Sequence, residues 1–188
     1  MAEPLKQDLV EVTIGDVALG GGDGVGRLPS GKVVFVPRTA PGEVVLAAIV
    51  HERRDLARAD LVRVIEASED RIEAPCPVAD RCGGCPWMHL SVEAQRRLKG
   101  DLVGRELRRA GLHQEEGSVL VKGGASLGHR TRARLHLRRG KVGTMARRSH
   151  EVVPFAGCPI LAPAVADFAW DLVDAVRDLP DADLELYV

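Results

Sequence analysis

The chain has 188 residues, 45% of them hydrophobic, which is enough for one or two small folded domains. The first residues are partly acidic, and no stretch approaches the ~18 apolar residues of a membrane span, so we expect a cytoplasmic protein without a membrane partner. The net charge of -1 conceals a basic segment, because residues 93–150 carry 15 Lys and Arg against 5 Asp and Glu, a footprint typical of a phosphate-binding face.

Residues 8–66 are predicted to form a small barrel of short strands. Apolar residues typical of strands recur, between glycine and proline turns, over 9–14, 32–37, 43–50 and 59–65. About five strands with this turn spacing are typical of an OB-like barrel, a fold that commonly binds single-stranded nucleic acid.

The run Gly22-Asp-Gly24-Val-Gly26 also matches the loose glycine pattern of nucleotide-binding loops. That function needs a helix that starts on the glycines, so that the helix N-terminus can meet an anion. Arg27-Leu-Pro-Ser-Gly31 follows instead and cannot begin a helix. We therefore interpret the run as a turn of the barrel and assign no nucleotide site.

Three of the four cysteines, Cys76, Cys82 and Cys85, lie in one short loop. Glycines at 83 and 84 let the backbone fold closely around a small object, and the distant Cys158 would complete a set of four. Four soft thiolates suit either tetrahedral zinc or an iron-sulfur cluster. The cluster is favoured because zinc sites usually pair two short knuckles, whereas this set joins a triple to a single cysteine followed by proline.

Two disulfides are the alternative use of four cysteines. Cytosolic proteins rarely keep disulfides, and such spacing in a cytosolic chain indicates a metal site. Unconnected buried thiols are disfavoured because Cys-Gly-Gly-Cys is a poor core sequence.

After the cysteine loop, Ser91 is predicted to cap a helix that runs to about Ala110 and stops at Gly111. An apolar stripe that includes Leu98 and Leu102 should hold the cysteine loop against the body of the protein. The other face carries six basic side chains, namely Arg96, Arg97, Lys99, Arg105, Arg108 and Arg109.

Residues 129–139 alternate between basic and uncharged side chains, which predicts a strand with one basic and one core face. A turn at Gly140-Lys141 leads into a partner strand over 142–147. Arginine planes pair with phosphates and stack on unpaired bases, and an arginine-rich solvent face is the alternative. The candidate RNA-binding residues are Arg130, Arg132, Arg134 and Arg138, together with Lys99 of the helix. No catalytic residue is assigned, because no acid or nucleophile lies at a diagnostic spacing from a histidine.

The last segment returns the chain to the cysteines at Cys158 and then begins a helix at Pro163. Apolar residues from Val165 to Val176, among them Phe168, recur at helical spacing. A strand is expected from Asp183 and reaches the end of the sequence unfinished, which suggests a piece of a longer protein.

The order of these features resembles the RNA uracil-5-methyltransferases, and more narrowly the ribosomal-RNA branch with an N-terminal TRAM domain and a 4Fe-4S cluster. Besides the barrel, the resemblance is carried by Cys76-x5-Cys82-Gly-Gly-Cys85, by Gln95 and Lys99, by Arg130-Thr-Arg-Ala-Arg134 and by Ser149-His-Glu-Val-Val followed by Cys158-Pro-Ile-Leu. The chain departs from the family at Met88, where glutamine is common, and at Val92, where tyrosine is common.

The resemblance implies an α+β fold class with two domains. Residues 1–70 would form a TRAM-like, five-stranded OB-like β-barrel that binds RNA, and residues 71–188 an iron-sulfur-bearing central α+β domain. The implied ligands of the 4Fe-4S cluster are Cys76, Cys82, Cys85 and Cys158.

Family members transfer a methyl group from S-adenosylmethionine to carbon 5 of uracil after a cysteine adds at carbon 6. The resemblance places that chemistry in a C-terminal Rossmann-like domain. No strand-glycine-helix motif for the cofactor appears in this sequence, and no cysteine remains as nucleophile once four bind iron. We therefore expect a chain truncated before that domain, with S-adenosylmethionine binding only in the missing part.

The leading hypothesis is the RNA-recognition and iron-sulfur half of a methyltransferase that forms 5-methyluridine in ribosomal RNA, acting as a monomer. The alternative is a stand-alone RNA-binding module with a structural iron-sulfur or zinc site. A redox iron-sulfur protein is disfavoured because nothing in the sequence suggests a partner cofactor.

Overall fold

The computed structural model describes residues 8–113, 115, 117–176 and 178–187, and the chain divides into two compact units. The first unit contains residues 8–73 and 89–121, and the second contains residues 74–88 and 122–187. The expected boundary after residue 70 differs from this division, because the helix that follows the cysteine loop groups with the barrel. As an assignment of domains, that boundary stays a prediction.

Five strands of the first unit close into a barrel in the order β1-β2-β3-β5-β4. They are β1 (Leu9–Val17), β2 (Gly24–Arg27), β3 (Val33–Val36), β4 (Val44–Glu52) and β5 (Leu56–Glu66). All neighbours are antiparallel except β3 and β5, and pairing of β4 with β1 closes the barrel. Alternate side chains point inward, so small β-branched residues and alanines, from Val12 to Ala59, fill the interior. The predicted five-stranded barrel is confirmed.

The glycine-rich run is only partly a turn, because Gly24 and Gly26 lie in β2. A Cβ atom at Gly24 would stand 1.9 Å from Oγ1 of Thr39, and one at Gly26 would stand 2.3 Å from Cγ1 of Val12. Both distances are far inside van der Waals contact, so the barrel closes only if these positions lack a side chain.

The helix α1 (Val92–Arg109) begins where the sequence predicts it, with Oγ of Ser91 accepting a hydrogen bond from the Ala94 amide at 3.2 Å. It ends before Gly111, whose φ of 80° suits glycine. The stripe of Ala94, Leu98 and Leu102 is buried. The helix groups with the barrel in the first unit, and the expected packing of this stripe on the cysteine loop stays a prediction.

The second unit contains a four-stranded antiparallel sheet in the order β8-β7-β6-β9. Its elements are β6 (Arg132–Arg138), β7 (Lys141–Met145), β8 (Val152–Pro154), α2 (Pro163–Ala175) and β9 (Ala182–Tyr187). The apolar face of β6 packs with Val165 and Ala169 of α2 to form the core.

One detail of this unit differs from the pattern in the sequence, and another agrees with it. The side chain of Phe168 is 55% exposed, although the helical periodicity placed it on the apolar stripe. The strand expected from Asp183 pairs with β6 along its described length. Across the described parts of both units, no helix combines the length and apolar character needed to cross a membrane.

Candidate metal centre and nucleic-acid interface

The cysteine loop contains tight turns in which backbone amides donate hydrogen bonds to cysteine sulfurs. The Cys82 amide donates to the carbonyl of Val78 at 2.8 Å, which closes the first turn. The Gly84 amide donates to Sγ of Cys82 at 3.3 Å, and the Val78 amide donates to the thiol of Cys76. Such N–H to sulfur bonds stabilise thiolates, which are the form that binds metal.

The loop is anchored to the edge of β7. Cys82 and Ala146 form an isolated antiparallel bridge, and the Gly83 amide donates to the carbonyl of Met145 at 3.0 Å. A Cβ atom at Gly83 would stand 3.2 Å from both Cα of Arg147 and the Met145 carbonyl oxygen. Sγ of Cys82 also lies 3.2 Å from Oγ1 of Thr144. The strand edge therefore fixes the middle of the loop.

Cys158 lies in the turn after β8, in the same unit as the other three cysteines. Its carbonyl accepts from the Leu161 amide at 3.1 Å, and the next residues are held by Arg130, whose amide donates to Ile160 at 2.8 Å. All four cysteines are half-buried and reduced. The structure therefore places all four cysteines in one unit, and their role as metal ligands stays a prediction.

Burial and the neighbouring thiols raise the pKa values of two of the cysteines. Burial, followed by the charges of Cys158, Cys82 and Cys76, raises the pKa of Cys85 to about 11. Burial also raises the pKa of Cys76, with the amide of Val78 opposing it and Cys158 and Cys82 adding to it. Proton loss is therefore unfavourable without a cation, and a bound metal would supply the compensating charge.

Four thiolates are a donor set that both tetrahedral zinc and an iron-sulfur cluster use. One tetrahedral zinc ion, with Zn–S bonds of about 2.3 Å, would draw its four sulfurs to a common centre, whereas each thiolate of a 4Fe-4S cluster binds its own iron. In residues 8–113, 115, 117–176 and 178–187, no group of three or more His, Cys, Asp or Glu side chains is arranged to hold a metal ion.

The strand β6 has the two faces that its alternation predicts. Ala133, Leu135 and Leu137 are buried, while Arg132 and Arg134 point to solvent. Its partner β9 brings acidic residues to the same face, because the register pairs Arg134 with Glu185 and His136 with Asp183.

These acidic residues form ion pairs with the basic face. Glu185 accepts from Nη2 of Arg132 at 2.9 Å and from Nε of Arg134 at 2.9 Å. Hydrogen bonds from Arg134 and Arg132 hold the pKa of Glu185 below its usual value. Exposed pairs of this kind contribute little stability and are screened by salt, so they orient the arginines without locking them.

The end of β6 repeats the pattern around Asp183. Its carboxylate lies 2.9 Å from Nδ1 of His136 and accepts from Nη2 of Arg138 at 2.6 Å. Hydrogen bonds from His136 and Arg138 hold the pKa of Asp183 below its usual value. The fifth candidate, Lys99, lies on α1 and so belongs to the first unit.

One buried network in the first unit was not foreseen. Glu43 has no exposed surface, and it accepts hydrogen bonds from Nη2 of Arg71 at 2.8 Å and from the Ala40 amide at 2.9 Å. Burial alone would raise the pKa of Glu43, but Arg71 and the amides of Ala40 and Ser68 hold it below its usual value. His89 is buried beside them, and burial followed by the charge of Arg71 lowers its pKa to about 4.

Comparison with known proteins supports the barrel and the resemblance. The TRAM domain family matches residues 8–62, which contain β1 to β4 and most of β5. An uncharacterized RNA methyltransferase from Streptomyces avermitilis is 43% identical over 173 residues, covering 84% of this chain and 40% of the relative. A 23S rRNA (uracil(1939)-C(5))-methyltransferase from Halomonas elongata is 37% identical over 163 residues, covering 84% of this chain and 34% of the relative.

A solved structure has a similar fold. The tRNA (uracil-54, C5)-methyltransferase of Pyrococcus abyssi, crystallised with S-adenosyl-L-homocysteine, superposes with a TM-score of 0.57 at 23% identity, over 88% of this chain and 37% of that chain. At this identity the match shows the fold alone.

The barrel and the family match define a chain with a TRAM domain. Over the part that it spans, the chain is similar to proteins named RNA methyltransferases, which confirms the resemblance seen in the sequence. It spans about 40% of the length of the first relative and 34% of the Halomonas protein.

Proposed function

We propose that the chain is the RNA-recognition and iron-sulfur portion of an RNA uracil-5-methyltransferase that forms 5-methyluridine in ribosomal RNA. The observation that carries the proposal is the gathering of Cys76, Cys82, Cys85 and Cys158 in one unit of a chain related to a 23S rRNA uracil-C5-methyltransferase. The proposal includes a cytoplasmic, monomeric protein whose partner is RNA.

In this proposal the four cysteines hold a 4Fe-4S cluster. The cluster would cross-link the short loop to the turn at Cys158 and could also exchange one electron. The chain's own contribution is to present the sulfurs on a fixed edge, through the bridge of Cys82 to Ala146 and the amide that Gly84 directs at Cys82. Loss of the cluster should therefore loosen the loop first.

RNA binding is proposed for the barrel and for the basic face of β6. Arg132 and Arg134 both donate hydrogen bonds to Glu185, and their planar guanidinium groups can exchange that carboxylate for a phosphate, which accepts hydrogen bonds in the same way. Arg138 has the same relation to Asp183. The exchange costs little because the pairs are exposed to water.

Methyl transfer is not assigned to any residue of this chain. The relatives are more than twice as long as the part that the chain matches, and we place S-adenosylmethionine binding and the chemistry at uracil in their remaining length. The residues described here would select and orient the RNA strand.

Anaerobic purification with iron, sulfide and zinc analysis tests the proposal directly. About four irons and four sulfides per chain with a broad visible absorbance would support the cluster and the family function. One zinc without sulfide would refute the cluster, and an RNA-binding module with a structural zinc site would become the better interpretation.

A further inference from the structure

The barrel carries a single aromatic side chain, and that side chain lies on its outer surface. Phe35 is the only Phe, Trp or Tyr in residues 8–66. Val34 and Val36, its neighbours in β3, are fully buried in the barrel, so Phe35 between them points outward and is half-buried. Aliphatic side chains fill the interior. The ring is therefore not needed to pack the core of the barrel.

A cation lies on this ring. Strand pairing puts Arg58 of β5 directly beside Phe35, and its Cζ atom lies over the ring, 5.9 Å from the centroid. That distance is within the range of a cation–π contact. In the part of the chain that the structure describes, the guanidinium group of Arg58 makes no hydrogen bond or ion pair, whereas those of Arg132 and Arg134 donate to a carboxylate. The Arg58 plane therefore keeps its donors for water or a ligand.

The row of flat side chains continues onto a third strand. The register pairs His51 of β4 with Arg58, and side chains directly opposite each other in antiparallel strands lie on the same face. His51 is exposed, and its Nε2 atom accepts a hydrogen bond from Nε of Arg53 at 3.1 Å. Three neighbouring strands therefore present an aromatic ring, a guanidinium plane and an imidazole in one row.

We propose that this row is a stacking site for one unpaired base of an RNA strand, with the base on the Arg58 plane above Phe35. The inference rests on the proposed function, which supplies RNA as the ligand, and it names where on the barrel the strand binds. Aromatic rings and arginine planes hold the splayed bases of single-stranded RNA by stacking. The outer face of strands 2 and 3, where Phe35 lies, is also the face that OB folds use for oligonucleotides.

The charges around the row favour a base over a phosphate. Asp60 follows Arg58 by two residues in β5, so its exposed carboxylate lies on the same face. A carboxylate beside one arginine repels a phosphate, whereas stacking of an uncharged base needs no net positive charge. The site should therefore supply binding energy that salt does not screen.

The substitution Phe35→Leu tests the ring, because leucine keeps an apolar side chain on the strand and removes the aromatic plane. Fluorescence anisotropy with a single-stranded RNA oligonucleotide, on the anaerobically purified chain, should show about 10-fold weaker binding, which is typical of the loss of one stacked base. The slope of log affinity against log salt should not change, because the variant loses no cation.

Two further variants test the guanidinium plane. Arg58→Lys keeps the charge and loses the plane, so binding should be about 5-fold weaker at every salt concentration. Arg63→Lys is the matched control, since it is the same change at an exposed position of the same strand, and it should bind RNA as the unmodified chain does. Equal melting temperatures would show that all three variants fold.

Crosslinking of the unmodified chain tests the site without any substitution. RNA that contains 5-iodouridine forms a covalent bond, on irradiation, with an aromatic side chain that is stacked on the modified base. After digestion with trypsin, mass spectrometry should find the nucleotide on the peptide of residues 33–38, which contains Phe35.

The outcomes distinguish the site from the function. If the unmodified chain binds RNA but Phe35→Leu and Arg58→Lys bind with the same affinity, or if the crosslinks are confined to other peptides, the row is not a stacking site and the proposed function stands. Equal losses in Arg58→Lys and Arg63→Lys would also overturn the site, because the position of the arginine would not matter. No RNA binding by the unmodified chain would overturn both the site and the proposed function.

Discussion

The buried carboxylate of Glu43 should stabilise the barrel far more than any exposed ion pair. Removing its charge with Glu43→Gln leaves Arg71 facing an amide group and leaves one of the donors around the carboxylate without an acceptor. Breaking a buried pair costs about 3–5 kcal/mol, and partial exposure of Arg71, 22%, places this case near the lower limit. We therefore expect a loss of about 3 kcal/mol.

The matched control is Glu52→Gln, the same substitution in the same unit. Glu52 pairs with Lys32 at 2.6 Å, but its side chain is 48% exposed. A pair of that kind contributes about 0–1 kcal/mol. The contrast between the two variants isolates burial, because the chemical change is identical.

Native-state hydrogen exchange of amides in β1 to β5 reports the stability of the barrel separately from that of the second unit. A loss of about 3 kcal/mol corresponds to roughly a hundredfold faster exchange in the slowest barrel amides. Exchange that changes less than tenfold, or equally in both variants, would refute the view that the Glu43 network holds the barrel together.

Three other outcomes follow from the geometry. Acid should destabilise the first unit between about pH 6.5 and 4, because His89 binds a proton in the unfolded chain but stays neutral in the folded one, where its pKa is about 4. The free energy of unfolding should fall by ~3 kcal/mol over this range. Urea unfolding of the His89→Gln variant at each pH should not show this fall. Cys82→Ser should remove the metal and expose residues 76–85 to proteolysis, and an unchanged cleavage pattern would contradict the cluster as the brace of the loop. Glu185→Gln should strengthen RNA binding at low salt several-fold by releasing two arginines, and weaker binding in anisotropy would count against exchange of carboxylate for phosphate.

The barrel was largely predictable because its strands alternate between apolar and polar residues. The exception was β2, where Gly24-Val-Gly26 has neither the propensity nor the pattern of a strand. Its glycines are required by Thr39 and Val12, residues distant in the sequence that approach only when the barrel closes. A close approach of this kind depends on the tertiary structure, so the local sequence pattern does not predict it.

The cysteine set stays a prediction, and the reason for making it is different. Thiols at short spacing around glycines have few structural uses, so the residue types alone selected the four positions. What the sequence did not indicate is the anchoring of the loop on β7, which depends on backbone bonds from Gly83 to Met145 and has no side-chain signature.

The sequence contains the acidic residues that pair with the basic face, but it does not show that they pair with it. Asp183 and Glu185 are two residues apart, so a strand puts them on one face, but only the register of β9 against β6 shows that this is the face of Arg134. A count of charges over residues 93–150 therefore leaves out the acidic residues of the last segment, which neutralise part of the positive charge.

That neutralisation changes how RNA binding should depend on salt. An arginine already paired with a carboxylate does not gain a full new ion pair when a phosphate arrives, since it gives up one partner for another. The salt slope should therefore be smaller than the number of arginines on the face. The exposed ion pairs between β6 and β9 would then act mainly by orienting the guanidinium groups before the RNA strand binds.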